Sequence, residues 1–172
     1  MVPSVPRWQL RPGQKGGSGV GKTKIGKGSK VMVVADGQGL PIGWHVASAR
    51  PHEHTLAVPT LATVNVPQRR GRPRTRPREL VADKAYDSQT FRQQLRRRGI
   101  KPTIPPVARR QQRPKRGRPI RPGLSYRHRW KVERCFTWMD NCWRLVVRYE
   151  RKVENYLGLV RLGCIVILLR YL

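Results

Sequence analysis

Hydrophobic and polar positions fall into a small number of clear runs. KVMVVAD (30–36) runs from a lysine through the unbroken apolar residues 31–35 to an acid, the pattern of a buried strand. After the turn GQG, LPIGWHVASA (40–49) sets Ile42, Trp44 and Val46 on one face, so the two runs predict a hairpin. PHEHTLAVPTLATV (51–64) predicts a helix with Pro51 and an acid in its first turn, and Pro59 should kink or end it. ELVADKAYD (79–87) predicts a strand segment ending in acids, followed by a helix over SQTFRQQLRRRG (88–99) from a Ser cap to a Gly stop. IKPTIPP predicts a short or edge strand. LSYRHRWKVERCFTWMDNCWRL (124–145) has helical composition without proline, and a largely apolar helix closes the chain from Val153. The order strand–strand–helix–strand–helix–strand–helix–helix predicts an α/β fold.

Between these runs lies a different composition. Residues 1–29 are rich in Gly, Pro, Lys and Arg and show no sustained apolar period. RRGRPRTRPR (69–78) reads as a basic linker, and ARRQQRPKRGRPIRPG (108–123) as loop or disordered chain unable to form a core. Within the first stretch, GGSGVGKT (16–23) fits the phosphate-binding pattern Gly-x-x-x-x-Gly-Lys-Thr letter for letter. That motif works only between a buried strand and a helix, yet RWQLRPGQK precedes it and Gly26 and Gly28 follow. It is a decoy in a basic loop.

The charge changes the picture more. The chain of 172 residues is long enough for one domain with a real core, and 37 Lys and Arg against nine Asp and Glu give a net charge of +28. Such an excess points to nucleic acid as partner. Cys135, Cys142 and Cys164 show no zinc spacing; Cys135 and Cys142, seven apart, read as small side chains on one helical face, in a reducing cytoplasm. No signal peptide opens the chain, and the seven apolar residues Gly163 to Leu169 are too few to span a bilayer, so a buried helix and no membrane partner are expected.

Metal-assisted chemistry on DNA requires clustered carboxylates. Asp83, closing the apolar run LVAD, is the first candidate, and its bland role is a turn or capping Asp. Asp87 fits the capping role better, since the next helix begins there. Glu133 is the second candidate: Tyr126, Arg129, Glu133 and Asp140 form one stripe if the segment is a continuous helix. Asp36 reads as a hairpin-turn residue, Glu53 as a first-turn acid able to approach the cleft, and His52 and His54 lack a third ligand for zinc.

LVADKAYDS followed by Tyr126, Arg129 and Glu133 at that spacing resembles the DDE transposases of bacterial insertion sequences. KVMVVADGQGLPIG, ASARPHEHTLAVPTLATV, YRHRWKVERCFTWMDNCWRLVVRYER and the apolar end are similar too, so the resemblance covers nearly all of residues 15–172. It implies a ribonuclease-H-like mixed sheet flanked by helices, with basic loop insertions at 69–78 and 108–123. Residues 30–172 would form this catalytic domain, and residues 1–29 would be the remnant of its first-strand region.

The same resemblance implies two Asp and one Glu binding two Mg2+ (or Mn2+) ions, which cleave transposon ends and join the 3′ hydroxyl to target DNA. Asp83 would be the second acid and Glu133 the third, with Tyr126 and Arg129 positioning Glu133 and contacting phosphate. The partners implied are double-stranded DNA at transposon ends and target, a homo-oligomer, and an upstream transposase product. The place implied is the bacterial cytoplasm, at the nucleoid.

Two departures stand out. Residues 1–14 hold no acid where the family's first Asp belongs, which implies truncation, a frameshift or a start within the gene. Asp140 stands where the family's series often ends in Lys. Two expectations follow: a catalytic domain impaired by loss of its first acid, or a non-catalytic DNA-binding remnant or regulator. Arg70, Arg72 and Arg74, and likewise Arg116 and Arg118, surround Arg-Gly-Arg-Pro cores similar to the AT-hook, which lays arginines in a narrow minor groove.

Overall fold

A computed structural model describes residues 5–13, 16–24, 26–107 and 124–171. At its centre is β3 (Lys27–Ala35), in which Val31, Met32, Val33, Val34 and Ala35 are all fully buried. A strand buried on both faces needs an apolar residue at every position, and this run supplies it. β3 pairs antiparallel with β1 (Val5–Pro12) on one side and with β4 (Pro41–Ser48) on the other, while β2 (Gly21–Lys22) pairs with its beginning. β5 (Glu79–Val81) lies beside β1 and pairs in parallel with β6 (Lys101–Thr103).

Alternate residues of β3 feed two cores. Val31, Val33 and Ala35 pack with α3 (Trp130–Asp140) and α5 (Val153–Leu169), through Val132, Phe136, Tyr156 and Val160 among others. Met32 and Val34 face α1 (Glu53–Ala62) and α2 (Gln89–Arg97), through Leu56, Leu61, Phe91 and Leu95. Helices on both faces of the sheets make a three-layer α/β fold, of the ribonuclease-H-like kind the sequence predicts.

The hairpin, α2 with its Ser88 cap and Gly99 stop, and β6 lie where the pattern places them. α1 runs through Pro59 to Ala62 rather than ending there. Four features differ from expectation.

Residues 5–12 form a strand although they carry two prolines and two arginines. Pairing along β3 from Val5↔Ala35 to Pro12↔Gly28 outweighs their weak propensity. The stretch 79–87 is extended only through Val81, because Lys84–Tyr86 is a 3-10 turn.

The helix expected over 124–145 is three pieces: a 3-10 turn (Leu124–Arg129), α3, and α4 (Trp143–Val146). Cys142, in a non-helical conformation, breaks the last two apart, so it shares no helical face with buried Cys135. Finally, α5 is buried on one face only; Leu162, Ile165, Val166 and Leu169 are exposed. Among the described residues no helix is long and apolar enough to cross a membrane.

The decoy segment has a structural duty. Buried Arg148 donates from Nη2 to the carbonyls of Ser18 (2.6 Å) and Arg151 (3.0 Å), and from Nη1 to Ser29 Oγ (2.6 Å). The glycine-rich loop is thereby fastened to β3 and to the chain before α5. No helix follows Lys22; Thr23 and Gly26 exchange backbone hydrogen bonds just before β3.

Candidate functional site

Asp83 follows β5 at the sheet's C-terminal edge. One carboxylate oxygen accepts from the Lys84 N–H (2.6 Å), capping the 3-10 turn, and the other accepts from Arg129 Nη1 (3.1 Å). Capping and cleft position, alternatives in the sequence, are both true of it. A hollow of about 220 Å3 holds Asp83, Arg129, Glu53, Tyr86, Arg7 and Trp8.

Glu53 reaches this hollow from the first turn of α1, where Trp8 Nε1–H donates to its carboxylate. Burial, and then the charges of Glu53 and Asp83, raise the Tyr86 phenol above its ordinary value. The sequence offers Glu53 as a first-turn acid able to approach the cleft, and it shares a hollow with Asp83.

Glu133 sits on the first turns of α3 and opens on a second hollow of about 230 Å3, with Gln9 and Asp140. Its Oε1 accepts from Arg7 Nη1 at 2.7 Å. Arg7 and Trp8 line both hollows and stand between Asp83 and Glu133. Further along β1, Arg11 Nη1 lies 2.6 Å from Asp140 Oδ1, and Gln9 Nε2 donates to Asp140 Oδ2 at 3.4 Å. One face of β1, carrying Arg7, Gln9 and Arg11, is therefore matched to the acids of α3. This accounts for Asp140, whose negative charge answers a buried arginine.

Arg129 stacks over Tyr126 with its guanidinium carbon 5.6 Å from the ring centroid. Both residues lie on the 3-10 turn before α3, so the stripe Tyr126–Arg129–Glu133 crosses a change of helix type. Arg129 reaches Asp83 and not Glu133.

Asp36 and Asp87 have ordinary roles. Asp36 Oδ1 accepts from the N–H groups of Gln38 (2.8 Å) and Leu40 (2.9 Å), closing the hairpin in which Gly39 takes φ +89°. Asp87 does not cap α2, since Ser88 does; it pairs with Arg92 (2.8 Å) and accepts from the Val107 N–H (2.7 Å). His52 and His54 face each other, Nδ1 to Nδ1 at 2.8 Å. Among the described residues no three His, Cys, Asp or Glu side chains gather as a metal-holding group.

Two magnesium ions need three or so converging carboxylates. Here Asp83 and Glu133 each hold a guanidinium, and β1 presents Arg7 between them. These residues do not fit the metal pair. Arg70, Arg72 and Arg74 are exposed on the loop before β5. Arg116 and Arg118 lie outside the described residues.

A family model described as "Transposase DDE domain" matches residues 7–169. A Burkholderia cepacia protein assigned as the transposase for insertion sequence element IS402 is 34% identical over 141 residues, which cover 81% of this chain. The match spans 62% of that relative's length. Among solved structures, a piggyBac transposase synaptic complex with hairpin DNA matches with a TM-score of 0.53 at 14% identity, covering 96% of this chain and 46% of that one.

Proposed function

We propose, from the premise that this chain belongs to the DDE-domain transposase family, that it binds double-stranded DNA of transposon and target while cleaving it feebly or not at all. The observation that carries this reading is the Arg7–Glu133 ion pair of 2.7 Å, beside the Arg129–Asp83 pair of 3.1 Å. In a two-metal phosphoryl transfer both carboxylates would be free to hold cations. An arginine between them repels a divalent ion and competes for the same oxygens.

DNA binding rests on other grounds. The net charge of +28 favours a polyanion by counterion release. The IS402 relative is assigned as a transposase, and the piggyBac structure was solved with hairpin DNA. Asp83 and Glu133 are the remaining members of the acid set, with Tyr126 and Arg129 beside them. The working place of the chain is the bacterial cytoplasm, on DNA.

The test is a labelled duplex incubated with the purified chain and Mg2+ or Mn2+ at several salt concentrations, beside Asp83→Ala and Glu133→Ala. Salt-sensitive binding without cleavage is expected. Robust metal-dependent cleavage lost in both variants overturns the reading and makes Glu53 the next ligand to substitute.

A further inference from the structure

One charged surface plays no part in the cleft. Val66 and Arg74 exchange two backbone hydrogen bonds of 2.9 Å as an isolated antiparallel bridge, closing the loop 67–73 into a hairpin. The Gln68 side chain braces its base, donating to the carbonyl of Pro67 (2.9 Å). At the tip, Gly71 takes φ +88°, and a Cβ added there would meet nothing within 4 Å. The hairpin is thus built to project.

It is densely cationic. Arg69, Arg70, Arg72, Arg76 and Arg78 are exposed, and so are Arg96 and Arg97 at the end of α2. Arg76 Nη1 donates to the Arg98 carbonyl at 3.1 Å, which ties the loop to the end of that helix and joins the two sets of cations. The nearest acid in the chain, Glu79, is mostly buried and is engaged by Thr103, Ser125 and Lys101.

Position separates this surface from the cleft. The hairpin enters β5 at its N-terminal end, whereas Asp83 follows the C-terminal end of the same strand. At about 3.3 Å per extended residue, Arg78 and Asp83 lie roughly 16 Å apart along the chain direction. A phosphate held at one end is out of reach of side chains at the other.

We propose that the Arg69–Arg78 hairpin, backed by Arg96 and Arg97, is a second DNA-binding site that lays Arg70 and Arg72 in the minor groove of A·T-rich duplex. The chemistry selects this target. A·T tracts have a narrow minor groove of enhanced negative potential, into which arginine inserts, and a glycine between two arginines lets the backbone come close to its floor. A G·C pair places an amino group on that floor. This inference rests on the DNA-binding reading above and adds the surface and the base preference.

The experiment is fluorescence anisotropy with the full chain, using one A·T-rich and one G·C-rich duplex of equal length, over a salt series. Wild type should favour the A·T duplex. Arg70→Ala/Arg72→Ala should weaken A·T binding by about tenfold or more and erase the preference. Arg96→Ala/Arg97→Ala should weaken both duplexes alike and flatten the salt slope by roughly two. All four positions are exposed or at the surface, and circular dichroism verifies that the variants fold. If wild type binds both duplexes equally, or the tip variant binds as wild type does, the hairpin proposal fails while DNA binding stands. If wild type binds neither duplex, the DNA-binding reading itself fails.

Discussion

Arg7 on β1 and Glu133 on α3 form an ion pair of 2.7 Å, while Asp83, in the neighbouring hollow that Arg7 also lines, is held by Arg129. β1, paired with β3 from Val5↔Ala35 to Pro12↔Gly28, thus brings a cation to the carboxylates proposed for the site.

The ion pair belongs to the site more than to stability. Both side chains are nearly half exposed, at 43% and 46%. Solvent screening holds such pairs to about 0–1 kcal/mol. Arg7→Ala should therefore change the free energy of urea unfolding by less than about 1 kcal/mol.

Arg148 presents the opposite case. Its buried guanidinium is hydrogen-bonded to Ser29 Oγ inside the protein and to the part-buried carbonyls of Ser18, Glu150 and Arg151. Arg148→Met leaves these acceptors without a donor and should cost about 3 kcal/mol or more in urea unfolding. Exposed Arg161→Met is the control, expected within about 0.5 kcal/mol of wild type.

The same hub explains why the Gly-Lys-Thr motif is not a nucleotide site. The Ser18 carbonyl is occupied by Arg148, and Lys22 lies in a two-residue strand with no helix behind it. Isothermal titration with Mg-ATP should give equally weak, salt-sensitive signals for wild type and Lys22→Ala. Saturable binding abolished in Lys22→Ala would contradict this.

What the sequence made legible was whatever a local rule governs. The apolar run of β3, the Asp36 turn and the Ser88 cap each follow from neighbouring residues, and all are found in place. β1 was illegible because its residues are poor strand formers alone; a partner remote in sequence makes them extend. Asp83 and Glu133 were found as candidates from strand and helix patterns together with the family motif. Arg7 was not, and Glu53 only as a first-turn acid able to approach the cleft, since their place comes from sharing hollows with those acids, a tertiary fact. The Gly-Lys-Thr decoy was legible in its downstream flank, where a strand follows in place of a helix, but its upstream flank, read as lacking a strand, is β1.

Alkali should destabilise the protein through groups buried in neutral form. Burial pushes the Cys135 thiol and the Tyr156 phenol each up to about 12, and raises Cys164 and Tyr86 further. In the unfolded chain these groups ionise near about 8.5 for thiol and 10 for phenol. Their folded pKa values are raised, so their contribution is whole below the unfolded values and is lost as pH climbs toward the folded ones. The urea midpoint should fall steadily between about pH 9 and 12, and Cys135→Ala/Cys164→Ala should blunt the lower part of that fall.

The most direct test of the central claim is calorimetric titration of Mn2+ into wild type, Arg7→Asp and Arg7→Asp/Asp83→Ala. The site as described predicts no saturable binding to wild type, saturable binding once an acid replaces the arginine between Asp83 and Glu133, and loss of that binding when Asp83 is also removed. Saturable binding to wild type that Asp83→Ala abolishes would show that the arginines do not close the site, and would contradict the account.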